Sequence, residues 1–284
     1  MVRDAVMANV HERTVAGFGE EWSRFDQSDL SPAEATALFE DYFSVFPWGS
    51  LPASPVGFDL GCGSGRWAKH VAPRVAHLHC VDASAEALNV AKRNLSHVSN
   101  CDFHHRGVDS LPFAPGSMDF GYSLGVLHHI PDTQAALEAC VLALKPGAPF
   151  LTYLYYRFDN RPAWFRRLWE FSDRARKIIS QLPTERRHLV TDIIAGGVYL
   201  PLARTAAVLE RAGMNVSNLP LSAYRHLSLY TMRTDALDRF GTQLEQRFTR
   251  DEIGSMMERA GLENIVFREG GPYWCAAGRK RLQK

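Results

Sequence analysis

Between Val56 and His70 the chain reads V-G-F-D-L-G-C-G-S-G-R-W-A-K-H. An apolar run ends in Asp59. Glycines follow at alternate positions, Gly61, Gly63 and Gly65, and Arg66-Trp67-Ala68-Lys69 is able to open a helix. The stretch reads as a strand, a tight turn and a helix N-terminus. Glycine lets the backbone take φ > 0 and lets a ligand approach it closely. A helix N-terminus adds free N–H groups and a partial positive charge. An ordinary strand–helix turn is the other reading of G-x-G taken alone. Further on, H-L-H-C-V-D (His77 to Asp82) reads as a second strand ending in an acid, with Ala83 after it. An acid at that point suits the two hydroxyls of a ribose. A dinucleotide turn would read G-x-G-x-x-G. Here the third glycine comes one residue early and Arg66 stands in its place, which disfavours an oxidoreductase.

Asp59-x-Gly61-x-Gly63-x-Gly65 followed by Asp82 resembles the class I S-adenosylmethionine (SAM)-dependent methyltransferases. The resemblance is close from Val56 to about Tyr155 and looser in the C-terminal segment. It implies SAM as cofactor, released as S-adenosylhomocysteine. Asp59 and the backbone of the glycine turn would receive the amino-acid end, and Asp82 with Ala83 the ribose. G-V-D-S-L-P-F (Gly107 to Phe113) resembles the family's adenine-contacting loop. Aligned on Leu111-Pro112-Phe113, the family's frequent acid falls at Gly107, whereas the acid here is Asp109. Either Asp109 substitutes for it, or Val108 supplies backbone and packing. Met118 to Asp132 resembles the fourth strand and its exit, with Ser123 and Leu124 beside the sulfonium.

Methyl transfer is an in-line displacement at carbon. The protein aligns nucleophile and donor and excludes water, and an oxygen or nitrogen nucleophile can also call for a general base. His128 and His129 follow the fourth strand and could reach that point; each is equally readable as a structural histidine satisfied by backbone. Tyr155, Tyr156 and Asp159 follow the fifth strand and face the same region, although Asp159 could instead cap the next helix. Farther along, Tyr224, Arg225, His226 and Arg233 are substrate-side candidates. An Arg pair could hold a carboxylate or phosphate, or these residues form the polar rim of a helical cap.

The positioning elements follow from pattern. Residues 56–154 alternate strand and helix signals, the mark of a parallel sheet with helices on both faces. Strands are predicted near 56–60, 77–81, 101–105, 118–123 and 148–155, and helices near 66–72, 84–97 and 133–143. The resemblance specifies an α/β, Rossmann-like class I methyltransferase sheet, mostly parallel with an antiparallel C-terminal edge, from strands near 262–267 and 273–279. Residues 1–50 read as a helical segment before the first strand. Phe18, Trp22 and Phe25 fall there at helical spacing, and Ser31-Pro32 with Glu34 reads as a capping box. This segment is either a small satellite core or a lid over the cofactor in which Phe18 and Trp22 touch it. Residues 51–155 form the cofactor-binding core, 156–247 a helical acceptor-binding insertion, and 248–284 the return to the core. Helices are predicted near 161–182, 184–195 and 201–212. In the first of these, Trp164, Phe165, Leu168, Trp169, Phe171, Ala175, Ile178, Ile179 and Leu182 mark one face and the basic stripe a solvated one. Thr249 to Glu252 reads as a second capping box.

Composition narrows the classes. A net charge of +1 gives no global argument for nucleic acid or a membrane. No apolar run approaches the roughly 20 residues that cross a bilayer, and the N-terminus lacks the apolar segment of a signal peptide. The five cysteines are odd in number and scattered, with no C-x-x-C, which fits reduced thiols in a cytoplasmic protein and disfavours a zinc site. The leading expectation is therefore an enzyme that methylates a small or medium organic acceptor at O, N or C, with no metal. Two alternatives stay open. One is an RNA or lipid methyltransferase using the basic face of Arg161–Lys177. The other is a non-catalytic binding or regulatory protein, against which the complete glycine turn and Asp82 argue.

Overall fold

Short β-branched and aromatic runs bounded by turn residues supply the strands, and capped amphipathic stretches supply the helices. In the computed structural model, which describes residues 9–269 and 273–282, their order is α1 (Glu12–Arg24), α2 (Pro32–Tyr42), β1 (Val56–Leu60), α3 (Ala68–Val71), β2 (His77–Asp82), α4 (Ala85–Asn94), β3 (Cys101–His105), β4 (Phe120–Leu124), α5 (Thr133–Ala143), β5 (Pro149–Leu154), α6 (Ala163–Ile179), α7 (Thr184–Ile194), α8 (Leu200–Arg211), α9 (Leu229–Gly241), α10 (Arg250–Arg259), β6 (Leu262–Phe267) and β7 (Trp274–Lys280). Residues 1–8, the start of the expected lid segment, lie outside the described residues.

The sheet runs β3-β2-β1-β4-β5-β7-β6. The first five strands are parallel, and β7 enters antiparallel between β5 and β6. This is the expected sheet. Strand order reverses beside β1, whose neighbours are β2 and β4, so a crevice opens there at the carboxyl ends. The strands are held by two buried clusters, one per face. Phe39 of α2 and the following Phe43 and Phe46 join Trp67, Phe120, Tyr122 and Leu151 on one face. Phe58, Phe150, Leu137, Val141 and Met257 fill the other. Each such side chain contributes about 1.5–3 kcal/mol by leaving water. The segment before β1 thus divides: α2 belongs to the core, while α1 runs over the carboxyl ends.

Local caps follow the sequence with one exchange. Ser84, Asp132 and Thr249 cap α4, α5 and α10, the last with its full capping box. Ser31 caps α2, but Glu34 does not fold back onto it. Its carboxylate accepts from Ser228 N–H (3.0 Å), Ser228 Oγ (3.1 Å) and Thr231 Oγ1 (2.6 Å), at the start of α9. The residue thereby stitches α2 to α9.

Two expectations for residues 156–247 need correction. First, α7 and α8 are one continuous helix, Thr184–Arg211, joined by a wide π turn over Ala195–Tyr199. The turn lies just before Pro201, which removes one helical hydrogen bond. By length and composition alone this helix is apolar enough to cross a membrane. Here its inner side, Ala195, Tyr199 and Ala203, packs on Met232, Ala236 and Phe240 of α9. Asp192 within it takes Arg24 (2.6 Å) and Arg233 (3.0 Å). Second, α6 is turned relative to its expected apolar face. Trp164, Leu168, Phe171 and Ile178 are exposed, and Arg176 is buried. The reason is electrostatic. Arg176 Nε meets Asp173 at 2.7 Å and Nη1 donates to the Thr242 carbonyl at 2.9 Å, beside a buried Glu245 that also holds Arg239 (2.8 Å) and Arg247 (2.7 Å).

Candidate functional site

The crevice is a cavity of about 890 Å³, its open mouth included. Its floor is the ends of four strands: Leu60–Cys62 after β1, Asp82–Ala83 after β2, Arg106–Val108 after β3 and Leu124–Val126 after β4. Its roof is α1, through Thr14, Val15, Phe18 and Trp22. Sequence folds this way locally because the turn after β1 demands it. Gly61 and Gly63 have φ of +74° and +54°. A Cβ on Gly61 would lie 2.3 Å from Val126, and one on Gly63 would lie 2.8 Å from the Trp22 indole. Only glycine lets the loop after β4 and the α1 roof close on the backbone.

Asp82 anchors this turn. Its Oδ2 accepts Gly63 N–H at 2.9 Å and its Oδ1 accepts Ser84 N–H at 2.8 Å. Each carboxylate oxygen retains a further lone pair for a hydroxyl ligand. Burial raises its pKa from the usual value, while the two backbone donors pull it back. Val108 and Leu124 line the wall with Leu60 and Ile130, an apolar slot suited to a flat ring. The residues present therefore fit SAM: a glycine cradle that a Cβ would fill, an acid at the end of β2 and an apolar slot beyond it.

Four residues expected at the cofactor stand behind the wall instead. Asp109 faces the chain's own N-terminal segment, where its carboxylate accepts Asn9 N–H at 2.8 Å. Asn9 in turn bridges to the backbone of Asp132, so the pair fixes the approach to α1. Of the two alternatives in this loop, Val108 is at the cavity. Ser123 is buried and donates to the Leu60 carbonyl at 2.9 Å. Gly65 sits against Leu95 of the segment after α4. Asp59 lies beneath the turn with both carboxylate oxygens buried and unpartnered. Burial pushes its carboxyl up to about 8; the nearby Tyr122 hydroxyl and Arg66 oppose the shift.

The two histidines separate. His129 lines the cavity, 5.0 Å from the Phe18 ring between centroids. Its Nδ1 stands 2.7 Å from the Leu244 carbonyl, an acceptor, so Nδ1 carries the proton and Nε2 the lone pair. That Nε2 has no hydrogen-bond partner and faces Asp238 Oδ1 at 3.9 Å. Burial lowers the imidazole pKa to about 4. His128 is fully buried, stacked on Tyr155 at 3.9 Å, and is not part of the cavity wall.

Beyond His129 lies a group that sequence reasoning missed. Burial raises the carboxyls of Glu21 of α1 and of Asp235 and Asp238 of α9; both aspartates add to the rise at Glu21, Asp238 to that at Asp235, and Glu245 to that at Asp238. Both aspartates rise to about 6. The Arg66 guanidinium opposes all three shifts, and it lies over the Trp67 ring at 4.1 Å. Tyr155 donates its hydroxyl to Asp238, and Tyr224 faces Asp235 while its ring meets Tyr199 at 5.2 Å. A signal was available: two acids at i and i+3 in T-D-A-L-D-R-F, on a helix whose other buried positions carry no charge.

The other substrate-side candidates have structural partners. Arg225 and His226 share Glu210, each at 2.9 Å, and Arg233 takes Asp192, so no open Arg pair forms. Asp159 accepts Arg250 N–H and the Trp274 indole N–H, each at 3.0 Å, at the start of α10 rather than α6. Tyr156 packs on Phe158 at 4.6 Å, and its carbonyl accepts from Arg247. Among the thiols, Cys62, Cys80 and Cys101 are neighbours, held in their neutral form by burial and one another.

Comparison with known proteins agrees with this geometry. Residues 58–147 match the model of a family described as a methyltransferase domain. The chain is 27% identical over 188 residues to a ubiquinone biosynthesis O-methyltransferase of Xanthomonas campestris, covering 66% of this chain and 74% of the relative. It is 35% identical over 91 residues to the protein of that name from Idiomarina loihiensis, covering 31% and 37%. Among solved structures, the N-methyltransferase NodS of Bradyrhizobium japonicum, determined with S-adenosylhomocysteine, superposes with a TM-score of 0.53 at 14% identity over 94% of this chain and 98% of that one.

Proposed function

As a class I SAM-dependent methyltransferase, this chain moves a methyl group from a sulfonium donor to an acceptor, and we propose that the acceptor is a small organic molecule methylated on a hydroxyl oxygen, with His129 as its base. The supporting observation is that His129 lines the cavity with its Nε2 lone pair unpartnered, its tautomer set by Leu244 and that same nitrogen 3.9 Å from Asp238 Oδ1. When bound, SAM supplies an activated methyl carbon and leaves as a neutral thioether. His129 Nε2 would take the proton of the acceptor O–H as the donor's methyl passes to that oxygen. The resulting imidazolium is compensated by the Asp238 carboxylate. Phe18 and Trp22 exclude water above the reacting atoms, and Tyr155 holds Asp238 in place. Relatives named as O-methyltransferases support oxygen as the methylated atom.

A second reading rests on the three acids Glu21, Asp235 and Asp238. Together they would favour an acceptor that carries an amine. A panel of phenols and aromatic amines, assayed for S-adenosylhomocysteine release and for the position of the new methyl, separates the two. Turnover of phenols that collapses in His129→Ala supports the first reading. Turnover confined to amines, unaffected by that change, replaces it with the second.

A further inference from the structure

Histidines are concentrated on one edge of the sheet, away from the cofactor. His77 and His79 are alternate residues of β2 and so project from one face. Asp102 of β3 pairs in register with His79 and shares that face, and His104 follows two residues later. Three potential ligand atoms converge there, one each from His77, His79 and Asp102, all within 4.8 Å of one another, and His104 stands beside His79. His77 Nε2 is 3.0 Å from Asp102 Oδ2. His79 Nδ1 is 3.8 Å from the same oxygen and 3.1 Å from His104 Nε2. The Phe113 ring backs the group, 5.2 Å from His79. Asp102 is exposed and His77 and His79 are half-buried, so the group is open to solvent from the edge.

These separations are those of a metal centre. In a tetrahedral zinc site with bonds of about 2.0–2.1 Å, neighbouring ligand atoms stand roughly 3.3–3.4 Å apart. The separations of Asp102 from His77 and His79, 3.0 and 3.8 Å, bracket that spacing. Imidazole nitrogens with one carboxylate are a donor set that suits zinc and other late divalent ions. An imidazole can turn the lone pair of either nitrogen toward an ion by keeping its proton on the other. Two hydrogen bonds inside the group, His77 to Asp102 and His79 to His104, satisfy the same atoms without a metal. An ion would replace both by coordination, with each ring proton moving to the nitrogen that faces away from the ion.

We propose that His77, His79 and Asp102 bind a divalent transition ion of the zinc type, with solvent completing the coordination at the open edge. The cysteine spacing gave no hint of this, because the ligands are histidines brought together only when β2 and β3 pair. The ion would clamp the edge strand β3 to β2. The far end of β2 carries Asp82, and the loop leaving β3 carries Val108, both at the cofactor cavity. The site is therefore placed to stiffen one wall of that cavity without touching the cofactor.

The test uses full-length protein free of any affinity tag, stripped with chelator and titrated calorimetrically with Zn²⁺. The His77→Ala/His79→Ala double variant and Asp102→Asn are run beside it, and retained S-adenosylhomocysteine binding serves as the check that they fold. Expected are one ion per chain, at least a tenfold loss of affinity in the double variant and a smaller loss in Asp102→Asn. Co²⁺ substitution would give visible bands of four-coordinate geometry. A zinc-dependent rise in Tm should be present in the wild type and absent in the double variant. The proposal is overturned if wild type binds no stoichiometric Zn²⁺, or if a folded double variant binds it equally well. Should the double variant fail to fold, unchanged affinity in Asp102→Asn together with absent Co²⁺ bands overturns it on its own.

Discussion

The imidazole of His129 is held between two oxygens: its Nδ1 meets the Leu244 carbonyl at 2.7 Å, and its Nε2 faces Asp238 Oδ1 at 3.9 Å. The first contact fixes which nitrogen is free, and the second places an acid where an imidazolium would form. His129→Ala should lower kcat by about 10²–10⁴-fold, with S-adenosylhomocysteine affinity within a few-fold of wild type. Asp238→Asn should act on the same step. With burial and neighbouring acids raising Asp238 to about 6, and burial lowering His129 to about 4, the acid limb of kcat/KM should break near the aspartate's value. That break should vanish in Asp238→Asn. A limb at an ordinary histidine pKa in both proteins would contradict this assignment.

Asp82 offers two carboxylate oxygens that already hold the glycine turn through Gly63 and Ser84. Removing them takes away the ribose partner and loosens the turn together. Charge-assisted hydrogen bonds contribute about 1.5–3 kcal/mol each, so Asp82→Ala should weaken S-adenosylhomocysteine binding by about tenfold or more in calorimetry. Unaltered affinity would mean that the ribose lies elsewhere.

Trp22 lies against Gly63, and Asn9 ties the approach to α1 onto Asp109 and Asp132. A roof anchored this way should close more tightly over a ligand. Limited proteolysis within residues 15–48 should slow at saturating S-adenosylhomocysteine, and Trp22→Ala should abolish that protection. Equal cleavage with and without ligand would leave α1 as a fixed part of the core.

What the sequence made legible was everything encoded in contiguous pattern. The D-x-G-x-G-x-G turn, the acid closing β2 and the strand–helix alternation are local, and each stands where the spacing put it. What it hid was assembled between distant segments. Glu34 looked like half of a capping box, yet it caps a helix nearly two hundred residues away. Arg176 sat in an apparently solvated basic stripe, but an acid in the loop after α9 draws it inside. Asp235 and Asp238 have no neighbour in sequence that explains them, because their partners are Glu21, Arg66 and Tyr155. Asp109 matched a ligand-binding loop by type, while its carboxylate was already committed to Asn9.

Glu245 is buried among Arg176, Arg239 and Arg247, joining α6, α9 and the strand-like segment that returns to the core. The three guanidinium groups hold its carboxyl below the usual range against the effect of burial. Glu245→Gln would leave those cations facing a neutral group. Breaking a buried pair in this way costs about 3–5 kcal/mol, so denaturant unfolding should show a loss of that order. Arg247→Met should be less costly, since Glu245 retains Arg239. A Gln variant as stable as wild type would show that solvent reaches the network.

Asp59 presents the opposite electrostatic case. It is buried with only the Tyr122 hydroxyl facing it, and burial pushes its carboxyl up from the usual value to about 8. The folded protein therefore holds a proton that the unfolded chain has already released. Between those two values stability must fall as pH rises, by about 1.4 kcal/mol per pH unit from this group alone. Below both values the contribution is complete, and above both it is lost. Asp59→Asn is a neutral isostere that carries no such linkage. Urea unfolding between about pH 5 and pH 8, without cofactor, should give a stability curve whose downward slope is shallower in the variant by up to that amount. Since the amide replaces a carboxyl that is protonated at the low end, the two proteins should converge there and part at the high end. Parallel curves would mean that Asp59 ionises normally and that a donor reaches it from the cavity side, which would return it to direct contact with the cofactor's amino-acid end.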